Sequence, residues 1–582
     1  MCGICGAISC SNEIKNVALK LEMLEYRGYD SAGIAYLHKG KIKIVKAVGL
    51  IKNLKDKIGE QSGSVVIGHT RWATHGKANV TNAHPHISND KSVALVHNGI
   101  IENYKALKEE LIGKGYTFYS ETDSEAIAIL IEDLKKTHSL RESIISACEK
   151  LKGSYALAII FSGENKIYIA KNQSPLYVAE NENKKEVSSD VVTFSNEFDS
   201  FYALGDNEFA EVSESGILFF DKNNQKIEKK SQKIDKNSVF FEKNNSSCVM
   251  RKEIDETLCA LKLASLKFEK LEMNKEINIS SYDHIAFIGC GTAYHAGMFG
   301  SYMVERFLHK TSSAHIASEF RYSDKVLSKR TLYVLVSQSG ETADTIACAK
   351  MLDGFATLAI TNVEYSMLAK ICKFILPIYA GREVAVASTK AYTSQCVAML
   401  YFIFSFLERK DEFLDNLNTF LREYSLQNLD IDTKEVLKFD KIFFIGRGID
   451  YVTCKEASLK LKEISYINCV SLPAGELKHG TLALVDEKSL VFSVITDEKL
   501  LNKPLSNLEE VKARGGKVYV LSQFEKEKFA NFYGYFNLTK VNSYFMPIVS
   551  MIPLQYFALD MALSLGYNPD RPRNLAKSVT VE

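Results

Sequence analysis

His284-Ile-Ala-Phe-Ile-Gly-Cys-Gly291 returns at a constant offset of 157 residues as Lys441-Ile-Phe-Phe-Ile-Gly-Arg-Gly448. Each copy is an apolar run, which predicts a buried strand, followed by Gly-x-Gly and a helical pattern. A strand, a tight turn and a helix are the usual opening of a doubly wound α/β domain, although close helix–strand packing explains Gly-x-Gly as well as a ligand does. The repeat therefore predicts two related α/β domains, over residues 275–425 and 435–565, and a tail over residues 566–582.

The first 220 residues follow a different pattern, with many short strand-like runs and fewer helical ones. This pattern predicts stacked antiparallel sheets with helices outside them. A polar stretch follows, since residues 222–243 carry seven lysines against three acidic residues. We therefore expect one domain over residues 1–220, and then a linker with a lead-in helix over residues 221–274.

The composition is that of an ordinary globular protein. The 582 residues are 46% hydrophobic and 25% charged with nine prolines, which excludes a disordered chain, a collagen and a coiled coil. The net charge of +1 argues against a general nucleic-acid or anionic-membrane surface. Twelve scattered cysteines indicate a reducing compartment. With no secretory signal and no apolar run of membrane-spanning length, we expect a cytoplasmic protein.

A cluster of hydroxyl groups marks an anion site in the first α/β domain. Val336-Ser-Gln-Ser-Gly-Glu-Thr342 follows a predicted strand and leads into a helical pattern. Three hydroxyls, an amide and backbone N–H groups at a helix N-terminus suit a phosphate, whereas one serine would suffice for an ordinary N-cap. The corresponding stretch Ser493-Val-Ile-Thr-Asp-Glu498 has lost this loop, so we expect the second repeat to contribute catalytic groups instead.

Those catalytic groups are expected between residues 450 and 480. Glu456, Lys460 and Glu463 stand at i, i+4 and i+7 and share one helix face, a spacing that a solvated ladder of salt bridges would also show. His479 follows in a glycine-bounded loop. Lys577 lies in a polar final segment that a few apolar residues could dock onto a domain.

Cys2 is a candidate nucleophile. If Met1 is removed, Cys2 carries both a thiol and an α-amino group whose reference pKa of about 7.7 suits a base at neutral pH. Cys2-Gly-Ile-Cys5 is also a C-x-x-C motif, which could form a redox pair or half of a zinc site. No second pair stands at zinc spacing, so we predict no metal site, and a Cys2–Cys5 disulfide formed under oxidation is kept as a hypothesis.

Six motifs in the first 125 residues resemble, in order, those of class II glutamine amidotransferase domains. They are Cys2-Gly-Ile-Cys-Gly6, Tyr26-Arg-Gly-Tyr-Asp-Ser-Ala-Gly33, Gly68-His-Thr-Arg-Trp-Ala-Thr-His-Gly76, Ala83-His-Pro-His86, Val96-His-Asn-Gly-Ile-Ile-Glu-Asn103 and Ser120-Glu-Thr-Asp-Ser-Glu125. The resemblance implies a four-layer α-β-β-α fold of the N-terminal-nucleophile type, in which Cys2 attacks the carboxamide of glutamine.

The same resemblance assigns the groups around Cys2. Arg71 would bind the α-carboxylate of glutamine and Asp123 its α-ammonium group. The Asn98 side chain and the Gly99 N–H would donate to the oxyanion. The pocket would also be lined by Trp72, Thr74 and His75. Trp72, the single tryptophan, would close it. A structural role fits the histidines 75, 84, 86 and 97 as well as a chemical one.

The second half resembles the sugar isomerase (SIS) domains of the glutamine–fructose-6-phosphate aminotransferase (isomerizing) family, also called glucosamine-6-phosphate synthases. The resemblance rests on Gly289-Cys-Gly-Thr-Ala-Tyr-His-Ala-Gly297, Ser318-Glu-Phe-Arg321, the Ser337 loop, Glu383-Val-Ala-Val-Ala-Ser-Thr-Lys-Ala-Tyr392, the Lys460–Glu463 helix, the His479 loop and the Lys577 tail. With the N-terminal motifs, it covers essentially the whole chain.

This resemblance implies one set of residues for each part of the sugar phosphate. The phosphate would be held by Thr292, Ser337, Gln338, Ser339 and Thr342, and the sugar would be lined by Val386, Ala387 and Ser388. Lys577 would form a Schiff base with the C2 carbonyl, and His479 of a neighbouring subunit would assist ring opening. Glu463 would move the proton between C1 and C2, with Lys460 as a polar helper. Two residues depart from the family pattern, because Ala293 replaces a serine and Ala385 a glycine; we expect tuned affinity from both.

The implied reaction converts L-glutamine and D-fructose 6-phosphate to L-glutamate and D-glucosamine 6-phosphate, the first step of the hexosamine pathway. It needs no metal or redox cofactor. The family also implies a homodimer and an internal ammonia channel gated by Trp72. One alternative is another class II amidotransferase, such as the phosphoribosyl-pyrophosphate type, but the Ser337 loop and the missing acidic phosphoribosyl motif argue against it. Another is a non-catalytic sugar-phosphate sensor, which the joint presence of Glu463, His479 and Lys577 argues against.

Overall fold

The computed structural model describes residues 2–73, 75–194, 197–234 and 248–579. The chain forms two compact units. The first comprises Met1–Phe241 together with Ala576–Glu582, and the second comprises Glu242–Leu575. The Lys577 tail therefore groups with the first unit.

The described part of the first unit contains two antiparallel sheets and five α-helices. Its strands are β1 (Gly3–Ser9), β2 (Ser31–His38), β3 (Lys41–Val48), β4 (Val65–Arg71), β5 (His86–Ile87), β6 (Val93–Ile101), β7 (Gly153–Phe161), β8 (Lys166–Asn172), β9 (Tyr177–Glu180), β10 (Lys184–Ser188), β11 (Ser200–Ala203), β12 (Glu208–Ser213), β13 (Gly216–Phe220), β14 (Lys226–Ile227) and β15 (Gln232–Lys233). Its helices are α1 (Ile14–Met23), α2 (Ile51–Ile58), α3 (Tyr104–Gly113), α4 (Asp123–Leu134) and α5 (Leu140–Lys150).

The two sheets pack face to face between layers of helices. One sheet has the strand order β15-β11-β9-β10-β1-β4-β2-β3 and the other β14-β13-β12-β8-β7-β6-β5. Because side chains alternate along a strand, Ile4 and Ile8 of β1 enter the core between the sheets, whereas Cys5 and Ala7 face α1 and α2. A third apolar cluster joins the second sheet to α3, α4 and α5. The predicted four-layer α-β-β-α fold is confirmed.

The first unit extends beyond residue 220. Strand β14 pairs with β13, and β15 pairs with β11. These strands have two residues each, which is too short for an apolar alternation to appear in the sequence. They lie within the polar stretch, residues 222–243, that the sequence assigns to a linker. The rest of this stretch, from residue 235 onward, belongs to residues 235–247, which lie outside the described residues.

The described part of the second unit holds two parallel sheets of five strands each. Its strands are β16 (His284–Gly289), β17 (Thr311–Ile316), β18 (Thr331–Ser337), β19 (Ala356–Thr361), β20 (Phe374–Pro377), β21 (Lys441–Gly446), β22 (Cys469–Pro473), β23 (Ser489–Ile495), β24 (Lys517–Ser522) and β25 (Gly534–Asn537). Its helices are α6 (Val249–Asp255), α7 (Thr257–Phe268), α8 (Met273–Glu276), α9 (Thr292–Met303), α10 (Ala317–Phe320), α11 (Ala343–Met351), α12 (Met367–Ile371), α13 (Lys390–Phe406), α14 (Lys410–Glu423), α15 (Thr433–Val436), α16 (Ile449–Ser465), α17 (Asn502–Lys512) and α18 (Met546–Ser564).

Shorter helical turns connect these elements. The described 3₁₀ turns are Glu25–Arg27, Val191–Phe194, Ile279–Ser281, Ala474–His479, Thr481–Leu484, Glu498–Leu500 and Lys526–Phe529, and Val304–Leu308 is a π-turn.

Both parallel sheets have the same doubly wound topology. The strand orders are β17-β16-β18-β19-β20 and β22-β21-β23-β24-β25. In each sheet the second strand along the chain is added on one side of the first strand, β16 or β21, and the third is added on its other side. The direction in which strands are added therefore reverses at this point. Ligands of such sheets bind at this switch point, outside the carboxyl ends of the strands. In the first sheet the switch point lies between β16 and β18, which precede the Gly-x-Gly turn and the Ser337 loop.

The repeated glycines adopt the same unusual backbone conformation. Gly291 has φ +52° and ψ −125°, and Gly448 has φ +55° and ψ −127°. A residue with a side chain rarely adopts this conformation, whereas glycine does so without steric cost. Each glycine lies directly before the first residue of a helix, α9 or α16. The predicted duplication is thus visible in the backbone angles, and the doubly wound fold is confirmed.

Two helices of the second unit are apolar on all sides. In α13 all residues but the last are buried, and both helices belong to one apolar cluster that joins the two repeats. Within the described residues, α18 is the one helix long and apolar enough to cross a membrane, and 89% of its most apolar window is buried inside the protein. Burial on every side explains why neither helix shows a polar face.

Candidate active site

Cys2 lies directly before β1, at the end of the sheet where β1 begins and the neighbouring strand β4 ends. The antiparallel pairing of Gly3 with Thr70 brings these two chain segments together. The Trp72 N–H points at the Cys2 sulfur, with N and Sγ 3.3 Å apart. The loop after Trp72 is held by Asp30, whose Oδ2 accepts from the Ala73 N–H at 2.8 Å. Sequence reasoning did not single out Asp30, although it lies within a quoted motif.

Two opposite charges line the pocket beside Cys2. The Arg71 side chain is buried, and it donates to the carbonyl oxygens of His75 and, at 3.3 Å, Gly76. Asp123 begins α4, and its Oδ2 accepts from the Ile101 N–H at 2.9 Å. The residues that line this cavity are Cys2, Arg71, Trp72, His75, His84, His97, Gly99, Thr122, Asp123 and Ser124. Thr74, which the sequence also assigns to this pocket, lies outside the described residues.

The environment of Cys2 favours the protonated thiol. Burial raises the pKa of the thiol above its ordinary value, although the hydrogen bond from Trp72 and the charge of Arg71 act in the opposite direction. Burial also lowers the pKa of Arg71. A thiol in this setting needs a base to become nucleophilic.

The predicted oxyanion donors lie next to Cys2. The Asn98 side chain donates from Nδ2 to the Cys2 carbonyl at 2.9 Å. His69 lies behind it, with Nε2 3.1 Å from Asn98 Oδ1, so its N–H fixes which way the amide points. Gly99 has φ +138°, and a Cβ atom there would lie 2.0 Å from the Ser154 carbonyl oxygen. Only glycine therefore fits beside Asn98. Sequence reasoning did not assign His69, although it lies two residues before Arg71.

Most of the histidines of this unit's motifs are buried and neutral. Burial lowers the pKa of His69 to about 3 and lowers the pKa values of His84, His86 and His97. The rings of His69 and His84 have centroids 4.0 Å apart. His75 differs because it is only partly buried, and its ring contacts Tyr104 with centroids 5.3 Å apart.

Cys5 is separated from Cys2 by the alternation of β1. It is fully buried in the apolar cluster beneath α1, and both cysteines are free thiols. The structure therefore does not bring the two sulfur atoms of the C-x-x-C motif together. Within the described residues, no group of three or more His, Cys, Asp or Glu side chains is placed to hold a metal ion.

The Ser337 loop of the second unit forms a turn of hydroxyl groups at the switch point. The Ser337 and Thr342 hydroxyl oxygens are 2.9 Å apart, and Ser337 also accepts from the Gly340 N–H at 3.1 Å. Ser339 accepts from the Glu341 N–H at 3.1 Å. Helix α11 begins directly after Thr342, so its first N–H groups and these hydroxyls share one edge of the sheet. The backbone carbonyl of Gln338 accepts from the Asn362 N–H at 3.0 Å.

The loop that the sequence assigns to the sugar is held by two buried carboxylates. Glu383 accepts from the Thr389 N–H at 2.8 Å and from the Ser388 hydroxyl at 2.8 Å. Glu253 of α6 accepts from the N–H groups of Val384 and Ala385. Ala387 is buried and Val386 is half-buried. Neither Glu253 nor Glu383 was predicted from the sequence to act in this way.

The i, i+4, i+7 triad of α16 is not a solvated ladder. Glu456 and Lys460 are fully buried, and the side chain of Glu463 is 21% exposed. The Lys460 ammonium lies 2.6 Å from Glu463 Oε2 and 3.3 Å from Glu456 Oε1. Thr292 of α9 joins this group, because it donates to Glu456 at 3.0 Å and accepts from Lys460 at 2.9 Å. The structure thus brings Thr292 together with Lys460 and Glu463.

The two remaining predicted residues lie in different units. His479 ends the 3₁₀ turn Ala474–His479 and is exposed. Lys577 is half-buried in the tail that groups with the first unit.

The second repeat fills its own switch point with a carboxylate. Asp450 holds the position two residues after Gly448 that Ala293 holds after Gly291. Its side chain is buried and accepts from the Thr496 N–H at 2.8 Å and the Thr496 hydroxyl at 2.5 Å, directly after β23. These donors are therefore occupied and are not available to an anion. This agrees with the predicted loss of the phosphate loop from the second repeat.

We expect Asp450 to make stability depend on pH. Burial raises its pKa to about 7, whereas an unfolded aspartate titrates near 3.9. The folded state thus binds the extra proton, and stability falls as pH rises between about 4 and 7, by at most about 4 kcal/mol. Asp450→Asn should remove this slope, which thermal midpoints at pH 5 and pH 7.5 would measure. Asp440→Asn, a change at an exposed aspartate that does not act on Asp450, should retain it. Equal slopes in the wild type and Asp450→Asn would contradict the assignment.

Comparisons with known proteins agree with this division of the chain. The profile of the SIS domain family matches residues 278–405 and 436–565. The profile of the glutamine amidotransferase domain matches residues 69–196. The first profile thus covers both parallel sheets, and the second covers much of the first unit.

Relatives match over the whole chain. A glutamine–fructose-6-phosphate aminotransferase (isomerizing) of Clostridium tetani is 39% identical, and one of Clostridium acetobutylicum is 40% identical, each over 100% of both chains. A protein of the same name from Thermococcus kodakarensis is 38% identical over the same share of both chains. The solved C-terminal domain of glucosamine-fructose-6-phosphate aminotransferase from Francisella tularensis is 32% identical with a TM-score of 0.52, and the match covers 57% of this chain and 100% of that one.

Proposed function

The chain belongs to the glutamine–fructose-6-phosphate aminotransferase (isomerizing) family, and we propose how its residues divide the reaction. The protein transfers the amide nitrogen of L-glutamine to D-fructose 6-phosphate and yields D-glucosamine 6-phosphate and L-glutamate. This is the entry step of amino-sugar synthesis. The observation that supports the proposal is that the predicted glutamine-site groups lie around Cys2, and that Thr292 of α9 lies beside Lys460 and Glu463 of α16.

We propose that the first unit hydrolyses glutamine. Arg71 binds the α-carboxylate and Asp123 the α-ammonium group, which sets the carboxamide beside Cys2. The thiolate adds to the amide carbon, and the Asn98 side chain and Gly99 N–H stabilise the oxyanion. Ammonia leaves as the thioester forms, and water then releases glutamate. The α-amino group of Cys2 is the proposed base, as in other N-terminal nucleophile enzymes. The 3.3 Å contact between the Trp72 N–H and Sγ supports the placement of the sulfur.

We propose that the second unit binds the sugar phosphate and moves its proton. The hydroxyls of the Ser337 loop and the first N–H groups of α11 hold the phosphate, and residues 386–388 line the sugar. Lys577 condenses with the C2 carbonyl and releases water, and ammonia then displaces the lysine. Glu463 removes the proton from C1 and returns it to C2, which converts the ketose imine to the amino aldose. Its partial exposure beside buried Lys460 supports this role.

We also propose a cytoplasmic homodimer in which His479 of the partner subunit assists ring opening. The exposure of His479 in a glycine-bounded loop supports this arrangement. The function itself is tested by incubating the protein with glutamine and fructose 6-phosphate while both products are followed. We expect equal amounts of glutamate and glucosamine 6-phosphate. Glutamate without amino sugar would contradict the proposed isomerase half.

Asn98→Ala tests the oxyanion site. Loss of one oxyanion donor costs about 10²–10³-fold in kcat in comparable sites, and we expect a loss of that size in glutamate formation. The KM for glutamine should change little because the amide is proposed to act on the transition state. Asn103→Ala is the control, because Asn103 follows the same strand but has other partners. Its side chain donates to the Lys150 carbonyl and accepts from the Lys152 N–H. A wild-type rate in Asn98→Ala would remove Asn98 from the mechanism.

A further inference from the structure

A network of hydrogen bonds and ion pairs links the first repeat to Glu463. His295 lies one turn after Thr292 on α9, and its Nδ1 is 2.7 Å from Glu456 Oε2. Because residues three apart share a helix face, Thr292 and His295 both meet the Glu456–Lys460 pair of α16. The network then runs from Glu456 through Thr292 and Lys460 to Glu463. Nothing assigned above uses His295.

The side chains of this network have few alternative partners, because its charged groups Glu456 and Lys460 are fully buried. Lys460 has three N–H groups, and it faces three acceptors: Glu456, Thr292 and Glu463. The Glu456 carboxylate is fully buried, and its Oε2 receives the N–H of His295 while its Oε1 receives the Thr292 hydroxyl. A buried ion pair is tolerated when its hydrogen bonds are complete, and it is costly when one partner is removed.

We propose that His295 is a positioning residue for the proton transfer, because its Nδ1–H fixes Glu456, and Glu456 with Thr292 fixes the Lys460 ammonium that holds Glu463 in place. This rests on the proposed role of Glu463. Without the imidazole N–H, Glu456 Oε2 loses a buried donor. The carboxylate then turns toward Lys460 and draws the ammonium away from Glu463.

The other groups near Glu456 do not replace His295. Tyr392 and Cys396 of α13 are near enough for the Glu456 charge to act on them, and burial foremost and this charge to a smaller extent raise the pKa of each, so both stay neutral. Lys460, on the same helix, acts on Glu456 to lower its pKa, as does the hydrogen bond from His295. The charge at Glu456 is thus balanced by Lys460, and its orientation depends on the donors from α9.

A purely structural contact between α9 and α16 would behave differently. Loss of packing lowers stability, and it has no reason to affect turnover more than sugar binding. A displaced base lowers kcat, because a misplacement of about 1 Å can cost about 10²-fold, and leaves the KM for the sugar phosphate largely unchanged. The division between kcat and KM therefore separates the two roles.

The test uses the full chain with saturating glutamine and follows glucosamine 6-phosphate. We expect His295→Leu to lower kcat by about 10–10²-fold, with little change in the KM for fructose 6-phosphate. His295→Asn should recover most of the activity because its amide N–H can replace Nδ1–H. His284→Leu is the matched control: His284 is hydrogen-bonded at the opposite end of β16, and its loss should leave kcat unchanged. Glutamate formation and the thermal midpoint report whether each variant is folded.

Unchanged kcat in His295→Leu, a loss confined to KM, or equal losses in the Leu and Asn variants would each overturn the proposal. If His295→Leu does not fold, Glu456→Gln replaces it, and a wild-type kcat there would overturn the proposal too. Glu463→Gln is measured alongside. Full turnover in Glu463→Gln would refute the proposed base itself, whereas its inactivity beside a normal His295→Leu would refute His295 alone.

Discussion

Cys2→Ala should abolish glutamine-dependent synthesis of glucosamine 6-phosphate. Removal of a covalent nucleophile costs on the order of 10⁴-fold or more in kcat, because the pathway through the thioester no longer exists. The sugar half of the protein should be unaffected. We therefore expect the variant to form the Schiff base with fructose 6-phosphate, which borohydride reduction and mass measurement at Lys577 would detect. Glutamate formation at the wild-type rate would exclude Cys2 as the nucleophile.

Cys5→Ala is the matched control for this experiment. Cys5 is buried beneath α1 on the other face of β1, so its replacement should cost stability on the order of 1 kcal/mol and leave glutamine hydrolysis intact. The same variant decides the disulfide hypothesis. Because the structure keeps the two thiols on different faces, we expect peroxide to inactivate Cys5→Ala as fast as the wild type. Protection by the substitution would support a Cys2–Cys5 disulfide.

Glu463→Gln should stop the conversion of ketose to aldose while glutamine hydrolysis continues. The glutamine side chain keeps the shape of the glutamate but cannot take the proton from C1, and loss of a general base costs about 10²–10⁴-fold. Glucosamine 6-phosphate formation should fall by that factor, with the KM for fructose 6-phosphate little changed. Coupled measurement of both products checks this directly.

The control for Glu463→Gln is Glu509→Gln, the same change on the exposed face of α17. It should leave both activities unchanged. If Glu463→Gln retains wild-type synthesis, the proton is moved by another group, and Lys460 and His479 become the candidates. If it loses both activities, the substitution has disturbed the fold, and the thermal midpoint would show it.

Local pattern was sufficient where one segment determines its own structure. Helix α4 (Asp123–Leu134) is an example, because its apolar period and its acidic first turn both act within the segment. The repeated Gly-x-Gly turns are predicted because the same backbone angles need glycine at both positions. The resemblance to known families supplied the candidate catalytic residues, and the structure places those around Cys2 and along α16 in compact groups.

What could not be predicted depends on contacts between distant segments. Spacing along α16 alone could not show that Glu456 and Lys460 are fully buried, because the residues that cover them come from another repeat. The hydrogen bond between His69 and Asn98, and the one between Asp450 and Thr496, join strands or helices far apart in the chain. Pairings of this kind leave no period in the sequence, although a histidine or aspartate inside a strong motif marks a position to examine.

The two apolar helices of the second unit determine how this protein fails when heated. Helix α18 is as apolar as a membrane span and is buried within the protein, so partial unfolding of this unit exposes a long apolar surface. Such a surface associates with other open copies faster than it can be buried again. We therefore expect heat inactivation to be irreversible, with an apparent midpoint that depends on scan rate and protein concentration. In the cell, we expect chaperones to bind the same segment before the second unit has folded, because its apolar surface is then exposed.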